Sequence, residues 1–68
     1  MPLIQVTMVK GRTVEQKHAL IKELTEAAMR AVDAPQQNVR VAIYEIDGDN
    51  WGIGGTPVSV LRPNGPNA

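Results

Sequence analysis

The 68-residue sequence has no cysteine, no phenylalanine and no excess of either charge, because seven basic residues balance seven acidic ones. The lack of cysteine excludes disulfides and cysteine-based zinc sites. Zero net charge argues against nucleic acid as a partner, since proteins that bind the phosphate backbone carry a basic excess. No apolar run approaches the roughly 20 residues of a membrane span, and the first residues lack the pattern of a signal peptide. We therefore expect a soluble, cytoplasmic protein with no nucleic-acid or membrane partner.

The composition is instead aliphatic, with 43% hydrophobic residues but only one tryptophan and one tyrosine. A domain of this size buries only about 60% of the surface that its unfolded chain exposes. Such domains are usually stabilised by disulfides, a structural metal or oligomerisation. The sequence therefore predicts a homo-oligomer. We expect one domain over residues 1–62 and a flexible tail, "PNGPNA", over residues 63–68.

Two runs of β-branched and apolar residues predict strands, "LIQVTMV" over Leu3–Val9 and "VRVAIYEI" over Val39–Ile46. Between them, Thr13 followed by Gln16 forms a capping-box pattern, which predicts a helix that ends near Val32. The glycine-rich "WGIGG" predicts a short hairpin, and "PVSVLR" predicts one more short extended segment.

The order strand, helix, strand predicts an α/β fold built on a right-handed βαβ unit with parallel strands. Two parallel strands under one helix leave one sheet face and both sheet edges uncovered, and a two-stranded sheet is not expected to be stable alone. We therefore expect copies of the chain to pair edge to edge and to stack face to face.

Four residues are candidates for chemistry, namely Pro2, Arg12, Arg40 and Trp51. Pro2 could be a simple strand-entry residue, but a proline that begins a chain is a secondary amine and can transfer protons. Arg12 precedes a helix N-terminus, a position that favours anions, and Arg40 lies in a strand where its charge needs a partner. Trp51 could equally be a core or interface residue. Each arginine also has a structural alternative, a salt bridge to Asp33, Glu45 or Asp47.

Three other motifs predict no site. His18 is the only histidine and lies among polar residues, so we expect a solvated surface side chain. The turn "DGDN" begins like a calcium loop but lacks the later glycine and glutamate. The stretch "GIGG" opens no helix and is not a dinucleotide fingerprint. We expect no metal site.

Several features occur together between Pro2 and Arg62: the proline after the initiator methionine, "GRT-EQK" ahead of the helix, "DAP--NVRV-I-E" and "WGIGG". With these features the chain resembles the 4-oxalocrotonate tautomerase (2-hydroxymuconate tautomerase) family of the tautomerase superfamily. The resemblance implies βαβ units that form dimers with a four-stranded sheet, three such dimers in a hexamer, and a cofactor-independent isomerase.

The resemblance also implies roles for individual residues. In that family the initiator methionine is removed and the amino-terminal proline, here Pro2, is the catalytic base. Arg12 matches the family's loop arginine, and Arg40 matches a strand arginine that reaches in from a neighbouring subunit. Trp51 stands where the family has an active-site aromatic residue, commonly phenylalanine. The backbone N–H of Val9 matches one that faces the substrate.

The implied reaction converts a 2-hydroxymuconate-like dienol dicarboxylate into the conjugated 2-oxo acid. An α-amino group ordinarily has a pKa of about 7.7–8.0; nearby arginines and an apolar wall at Trp51 would lower the pKa of Pro2 and so favour the neutral base. Arg12 would hold the far carboxylate, and Arg40 the near carboxylate and the 2-oxygen. Both charges would stabilise the dienolate. No metal or organic cofactor is expected.

Three departures from the family leave the substrate open: Trp51 in place of phenylalanine, Thr7 where histidine is expected, and a longer, proline-rich tail.

Two rival functions also stay open. The same proline and arginines could serve hydration or hydrolytic dehalogenation of a small unsaturated acid. Alternatively, the chain could be a non-catalytic oligomeric module that binds small carboxylates.

Overall fold

The computed structural model describes residues 1–62, so the predicted tail at 63–68 lies outside the described residues. The elements are, in order, β1 (Leu3–Val9), α1 (Val14–Val32), β2 (Arg40–Ile46), β3 (Gly52–Ile53), β4 (Thr56–Pro57) and α2 (Val58–Leu61). The predicted α/β class, the βαβ unit with parallel strands and the C-terminal hairpin are confirmed. Across the described part of the chain, neither helix is long and apolar enough to cross a membrane.

The two long strands form a continuous parallel ladder. β1 and β2 pair over all seven of their residues. At the amino end, the Arg40 N–H donates to the Pro2 carbonyl at 3.0 Å, and at the carboxyl end, the Lys10 N–H donates to the Ile46 carbonyl at 2.9 Å. Since a strand rises about 3.3 Å per residue, the two ends of this ladder are about 20 Å apart.

The capping box predicted at the start of α1 is present. The Gln16 N–H donates to Thr13 Oγ1 at 3.1 Å, and the Thr13 N–H donates to Gln16 Oε1 at 2.9 Å. These bonds satisfy backbone donors that the first helical turn leaves unpaired. The helix therefore begins directly after Thr13 and its start is fixed relative to the end of β1.

Thr13→Ala is expected to lower the free energy of unfolding by about 1 kcal/mol, because it removes the side-chain oxygen that caps α1. Thr25→Ala is the matched control, since the Thr25 hydroxyl donates to the Ile21 carbonyl at 2.7 Å within the helix and caps nothing. Urea unfolding at one fixed protein concentration measures both variants. Equal destabilisation by the two substitutions would contradict the capping role.

One face of the sheet is uncovered in a single copy. On the face toward α1, side chains such as Ile4, Val6 and Met8 are half-buried. On the other face, Leu3 is 59% exposed and Tyr44 is 48% exposed, and Gln5 Nε2 donates to the Tyr44 hydroxyl at 3.2 Å. Val58 is the only buried residue in the part of the chain described. A single copy therefore has almost no core of its own.

The second strand begins one residue later than the sequence predicts, at Arg40 rather than Val39. The cause is a 3₁₀ turn over Gln36–Asn38, whose last hydrogen bond runs from the Val39 N–H to the Gln36 carbonyl at 3.2 Å. The Val39 donor is used in that turn and cannot join the ladder.

The C-terminal segment differs more from the prediction. The hairpin turn is made by Gly54 and Gly55, whose φ angles of 60° and 88° glycine adopts without strain. The extended segment predicted for "PVSVLR" is wrong, because Val58–Leu61 forms one helical turn in which the Arg62 N–H donates to the Val58 carbonyl at 2.7 Å. This turn redirects the chain so that Arg62 returns toward β1.

Candidate active site

A cavity of about 250 Å³ opens at the carboxyl end of β1. It is lined by three of the predicted site residues and three others: Val9, Arg12 and Trp51 with Thr7, Met8 and Arg62. The lining combines guanidinium groups, an indole ring, aliphatic atoms and a hydroxyl. Such a set suits a small conjugated acid, because arginine binds carboxylates through two parallel hydrogen bonds and an aromatic wall packs on a flat ligand.

Local backbone geometry brings Arg12 and Trp51 to this cavity. Gly11 has a φ of 139°, which residues with side chains rarely adopt, and turns the chain out of β1 toward α1. The capping box at Thr13 then fixes the residue that follows Arg12. The Trp51 carbonyl accepts a hydrogen bond from the Val58 N–H at 2.8 Å, which holds Trp51 against the start of α2.

The other two candidates lie at the amino end of the sheet. Pro2 is half-buried and is joined to Arg40 by the backbone hydrogen bond described above. The Arg40 side chain is exposed, and its Nη1 donates to the Gln37 carbonyl at 2.7 Å. Since a guanidinium has five N–H donors, this bond leaves others for a ligand. Met1 is 82% exposed, and while it is attached the Pro2 nitrogen is an amide without basicity.

The predicted site is therefore divided between two ends of one protomer. Pro2 and Arg40 lie at the amino end of the strands, and Val9, Arg12 and Trp51 lie at the carboxyl end. The two groups are about 20 Å apart, given the rise of a strand. A single copy does not bring Pro2 together with Arg12.

The structural alternative for the two arginines, a salt bridge to Asp33, Glu45 or Asp47, is wrong for the single chain. Within residues 1–62 the ion pairs are Lys17–Glu45 at 2.9 Å and Lys22–Glu26 at 2.8 Å, and neither involves an arginine. Glu45 is thus already engaged by Lys17. An arginine that lines a cavity without an acidic partner can bind an anion there.

The second ion pair is a surface feature of α1. Lys22 and Glu26 are one helical turn apart on the exposed side of the helix. The hydrogen bond from Lys22, followed by its charge, lowers the pKa of the Glu26 carboxyl, and the same bond and charge raise the pKa of Lys22. The pair lies outside the cavity and is a structural contact of the kind that an i, i+4 spacing favours.

Sequence reasoning missed Arg62 as a residue of the cavity. It predicted an extended segment there, which would carry Arg62 away from β1, whereas the α2 turn carries it back. That turn is fixed by a tertiary contact rather than by the local sequence, because the Val58 N–H donates to the Trp51 carbonyl. Thr7, noted in the sequence as a departure from the family, also lines the cavity.

The motifs set aside in the sequence do not line this cavity. His18 is exposed on α1. The "DGDN" segment forms a 3₁₀ turn over Gly48–Asn50, capped by Asp47 Oδ1, which accepts from the Asp49 N–H at 3.1 Å. Across residues 1–62, no three histidine, aspartate or glutamate side chains lie close enough to hold a metal ion.

Residues 2–61 match the family described as tautomerase enzymes. The chain is 50% identical to a probable tautomerase of Ralstonia nicotianae, over 91% of this chain and 89% of the relative. It is 48% identical to a 2-hydroxymuconate tautomerase of Pseudomonas putida, over 91% of this chain and 98% of the relative.

Among solved structures, the chain is similar to a heterohexamer 4-oxalocrotonate tautomerase from Chloroflexus aurantiacus. The two share 40% identity and superpose with a TM-score of 0.86, over 91% of this chain and all of that one. The similarity therefore extends over the βαβ unit and the hairpin alike.

Proposed function

The chain belongs to the tautomerase family of enzymes, and on that premise we propose that it is a cofactor-independent isomerase that converts 2-hydroxymuconate-like dienol dicarboxylates into conjugated 2-oxo acids. The observation that supports this most directly is the cavity at the carboxyl end of β1, where Arg12 has no acidic partner among residues 1–62 and shares the lining with Trp51. A cation beside an apolar wall binds a carboxylate more strongly than a cation in open water, because the local dielectric is lower.

In the proposed enzyme the active site is shared between copies. Two copies related by a twofold axis that join edge to edge run antiparallel, so the amino end of one copy's strands lies beside the carboxyl end of the other's. Such pairing would bring Pro2 of one copy to the Arg12 and Trp51 cavity of the next. The separation of about 20 Å within one copy supports this arrangement, since Pro2 cannot otherwise reach Arg12.

The proposed reaction is a proton transfer in two steps. The neutral Pro2 amine takes the proton from the 2-hydroxyl group, and the electron pair moves along the diene as the 2-oxo group forms. The Pro2 ammonium then returns a proton to the carbon at the far end of the diene. Arg12 binds the far carboxylate, and Arg40 binds the near carboxylate and the 2-oxygen, so that two fixed cations stabilise the dienolate charge. Val9 contributes its backbone N–H and Trp51 the wall.

Turnover of 2-hydroxymuconate, followed by ultraviolet absorbance, tests this function. Intact mass must first show that Met1 is absent, because only then is Pro2 an amine. Saturable turnover supports the proposal. Binding of the substrate without turnover would favour the carboxylate-binding module, and halide release or hydration of an unsaturated acid without tautomerisation would favour the other proline-dependent chemistry.

We further propose that residues 1–62 form one domain and that the chain assembles as a homohexamer, a trimer of dimers. The nearly coreless single copy and its uncovered sheet face support self-association. The similar protein from Chloroflexus aurantiacus is a heterohexamer, and a single type of chain could occupy all six positions in the same way.

Light scattering is expected to give a mass about six times the 7.4 kDa of one chain. Leu3→Asp should dissociate the assembly, because it places a charge on the uncovered sheet face that the partner copies would bury. Glu23→Lys, a charge change at an exposed residue of α1, is the control and should retain the mass. A stable wild-type monomer, or an intact Leu3→Asp hexamer, would contradict the proposal.

A further inference from the structure

One ion pair joins α1 to β2. Lys17 Nζ lies 2.9 Å from Glu45 Oε1, and the two side chains are only 25% and 28% exposed. The residues are 28 positions apart in sequence, so this contact links two elements rather than two turns of one helix. A partly buried contact of this kind has less competition from water than the surface pair on α1.

This pair lies next to Arg12. Lys17 and Arg12 line the same cavity, of about 280 Å³, together with Met8, Gln16 and Leu20. Met8 is the cross-strand partner of Glu45 and lines both this cavity and the candidate active-site cavity. Arg12 lines both cavities as well, so its side chain borders both the space beside Lys17 and the place proposed for the substrate.

Glu45 is paired with one cation, Lys17, and Arg12 lines the same cavity as that lysine. A partly buried carboxylate without a partner is unfavourable and recruits a cation that can reach it. If Lys17 were absent, Arg12, which lines the same cavity and has no acidic partner in the described residues, could bind Glu45 in its place. A guanidinium also binds a carboxylate bidentately, which would hold Arg12 away from the active-site cavity.

We infer that Lys17 is a positioning residue: by occupying Glu45, it keeps Arg12 available for the substrate carboxylate. The inference rests on the proposed function, in which Arg12 binds that carboxylate. It differs from a merely structural role in one respect. If the ion pair is only structural, the loss of Lys17 and the loss of Glu45 should lower activity equally. If Lys17 is a positioning residue, only the loss of Lys17 should lower activity, because only that loss leaves a carboxylate that competes for Arg12.

The test compares kcat/KM for Lys17→Met, Glu45→Gln, the double variant and Lys17→Arg. Lys17→Met is expected to lower kcat/KM about fivefold, the scale of competition from one partly exposed ion pair. Glu45→Gln should stay near the wild-type value. The double variant, which has no competing carboxylate, should regain the wild-type value, and Lys17→Arg should retain it. Lys22→Met, which breaks the surface ion pair on the same helix, is the matched control and should change nothing.

Two results would overturn the inference: wild-type kcat/KM in Lys17→Met, or equal losses in Lys17→Met, Glu45→Gln and the double variant. If Lys17→Met does not assemble, Glu45→Gln alone decides, because a structural role requires it to be impaired.

Calorimetric titration with adipate, a six-carbon dicarboxylate, separates this inference from the function. Weaker adipate binding by Lys17→Met in a protein that lacks turnover would uphold the inference and reject the reaction. Absence of both turnover and adipate binding in the wild type would reject both.

Discussion

Pro2→Ala is expected to lower kcat for 2-hydroxymuconate by about a hundredfold, within the range that a positioned general base contributes. Alanine keeps an α-amino group, but it lacks the ring that fixes φ and so leaves the nitrogen free to rotate away from the substrate. KM should change little, because Arg12 and Arg40 remain to bind the carboxylates. A loss confined to kcat is what removal of an interaction made only during reaction predicts.

The control for Pro2 is a chain with one glycine inserted between Met1 and Pro2. Its nitrogen at Pro2 is an amide after any processing, so it should be less active than Pro2→Ala, which still has an amine. Pro35→Ala, a matched substitution in the loop after α1, should keep the wild-type kcat. Unchanged kcat in Pro2→Ala or in the extended chain would reject Pro2 as the base.

The pH dependence of kcat/KM is a second test of Pro2 as the base. A base must be unprotonated to act, so kcat/KM should rise as the pH rises through the pKa of the Pro2 amine. The glycine-extended chain has no amine at this position and should lack that limb of the profile. A limb that persists in the extended chain would show that another group titrates.

The sequence predicts the boundaries of β1 and α1 well because each is set by local chemistry. β1 consists of apolar and β-branched residues up to Val9, and Gly11 then imposes a backbone angle unsuited to a strand. α1 is bounded by the capping box at Thr13 and by Pro35, which disfavours helix in the residue before it. Neither boundary depends on a distant part of the chain.

The sequence predicts the C-terminal segment poorly, because a tertiary contact determines its conformation. β-branched valines in "PVSVLR" favour an extended segment, but the bond between the Val58 N–H and the Trp51 carbonyl fixes the start of a helical turn. The position of Arg62 depends on that turn, so no local pattern indicates its place in the cavity. The exposed face of β1 is a related case. Its apolar residues predict a covered strand, but in one copy that face is open.

The composition of the candidate site also depends on contacts that local sequence patterns do not reveal. Residue patterns identify Pro2, Arg12, Arg40 and Trp51, but a pattern does not say which residues belong to one physical pocket. The parallel register gives that information, because it fixes Pro2 and Arg12 at opposite ends of a seven-residue strand. The division then requires that any pocket containing both residues be built from more than one copy.

Arg12→Ala is the second substitution expected to have a large effect. It should lower kcat/KM by about a hundredfold, because charge-assisted hydrogen bonds are worth roughly 1.5–3 kcal/mol and the same cation would stabilise the dienolate. Unlike Pro2→Ala, it should raise KM as well as lower kcat, since Arg12 would act in both the bound and the reacting state. Arg30→Ala, at the exposed end of α1, is the matched control.

Mixing the Pro2→Ala and Arg12→Ala proteins in equal amounts tests the shared site. In mixed assemblies of Pro2→Ala and Arg12→Ala chains, a site that takes Pro2 from one copy and Arg12 from another is intact when both donors are native. Random association makes about a quarter of the sites intact, so co-refolding should restore about a quarter of wild-type activity. Chains that carry both substitutions, randomly mixed with an equal amount of wild type, should also leave about a quarter of the sites intact, which is less than the half that dilution alone would leave.

Native mass spectrometry must show mixed assemblies before the activity is interpreted. Mixed assemblies without recovered activity would exclude a site that takes Pro2 from one copy and Arg12 from another. A site within one copy is impossible without unfolding β1, because a strand rises about 3.3 Å per residue and keeps the two residues apart. Such a result would therefore reject Pro2, Arg12 or both as members of the site. Recovered activity would instead explain why a chain with almost no core of its own can be an enzyme: the contacts that complete its core also complete its active site.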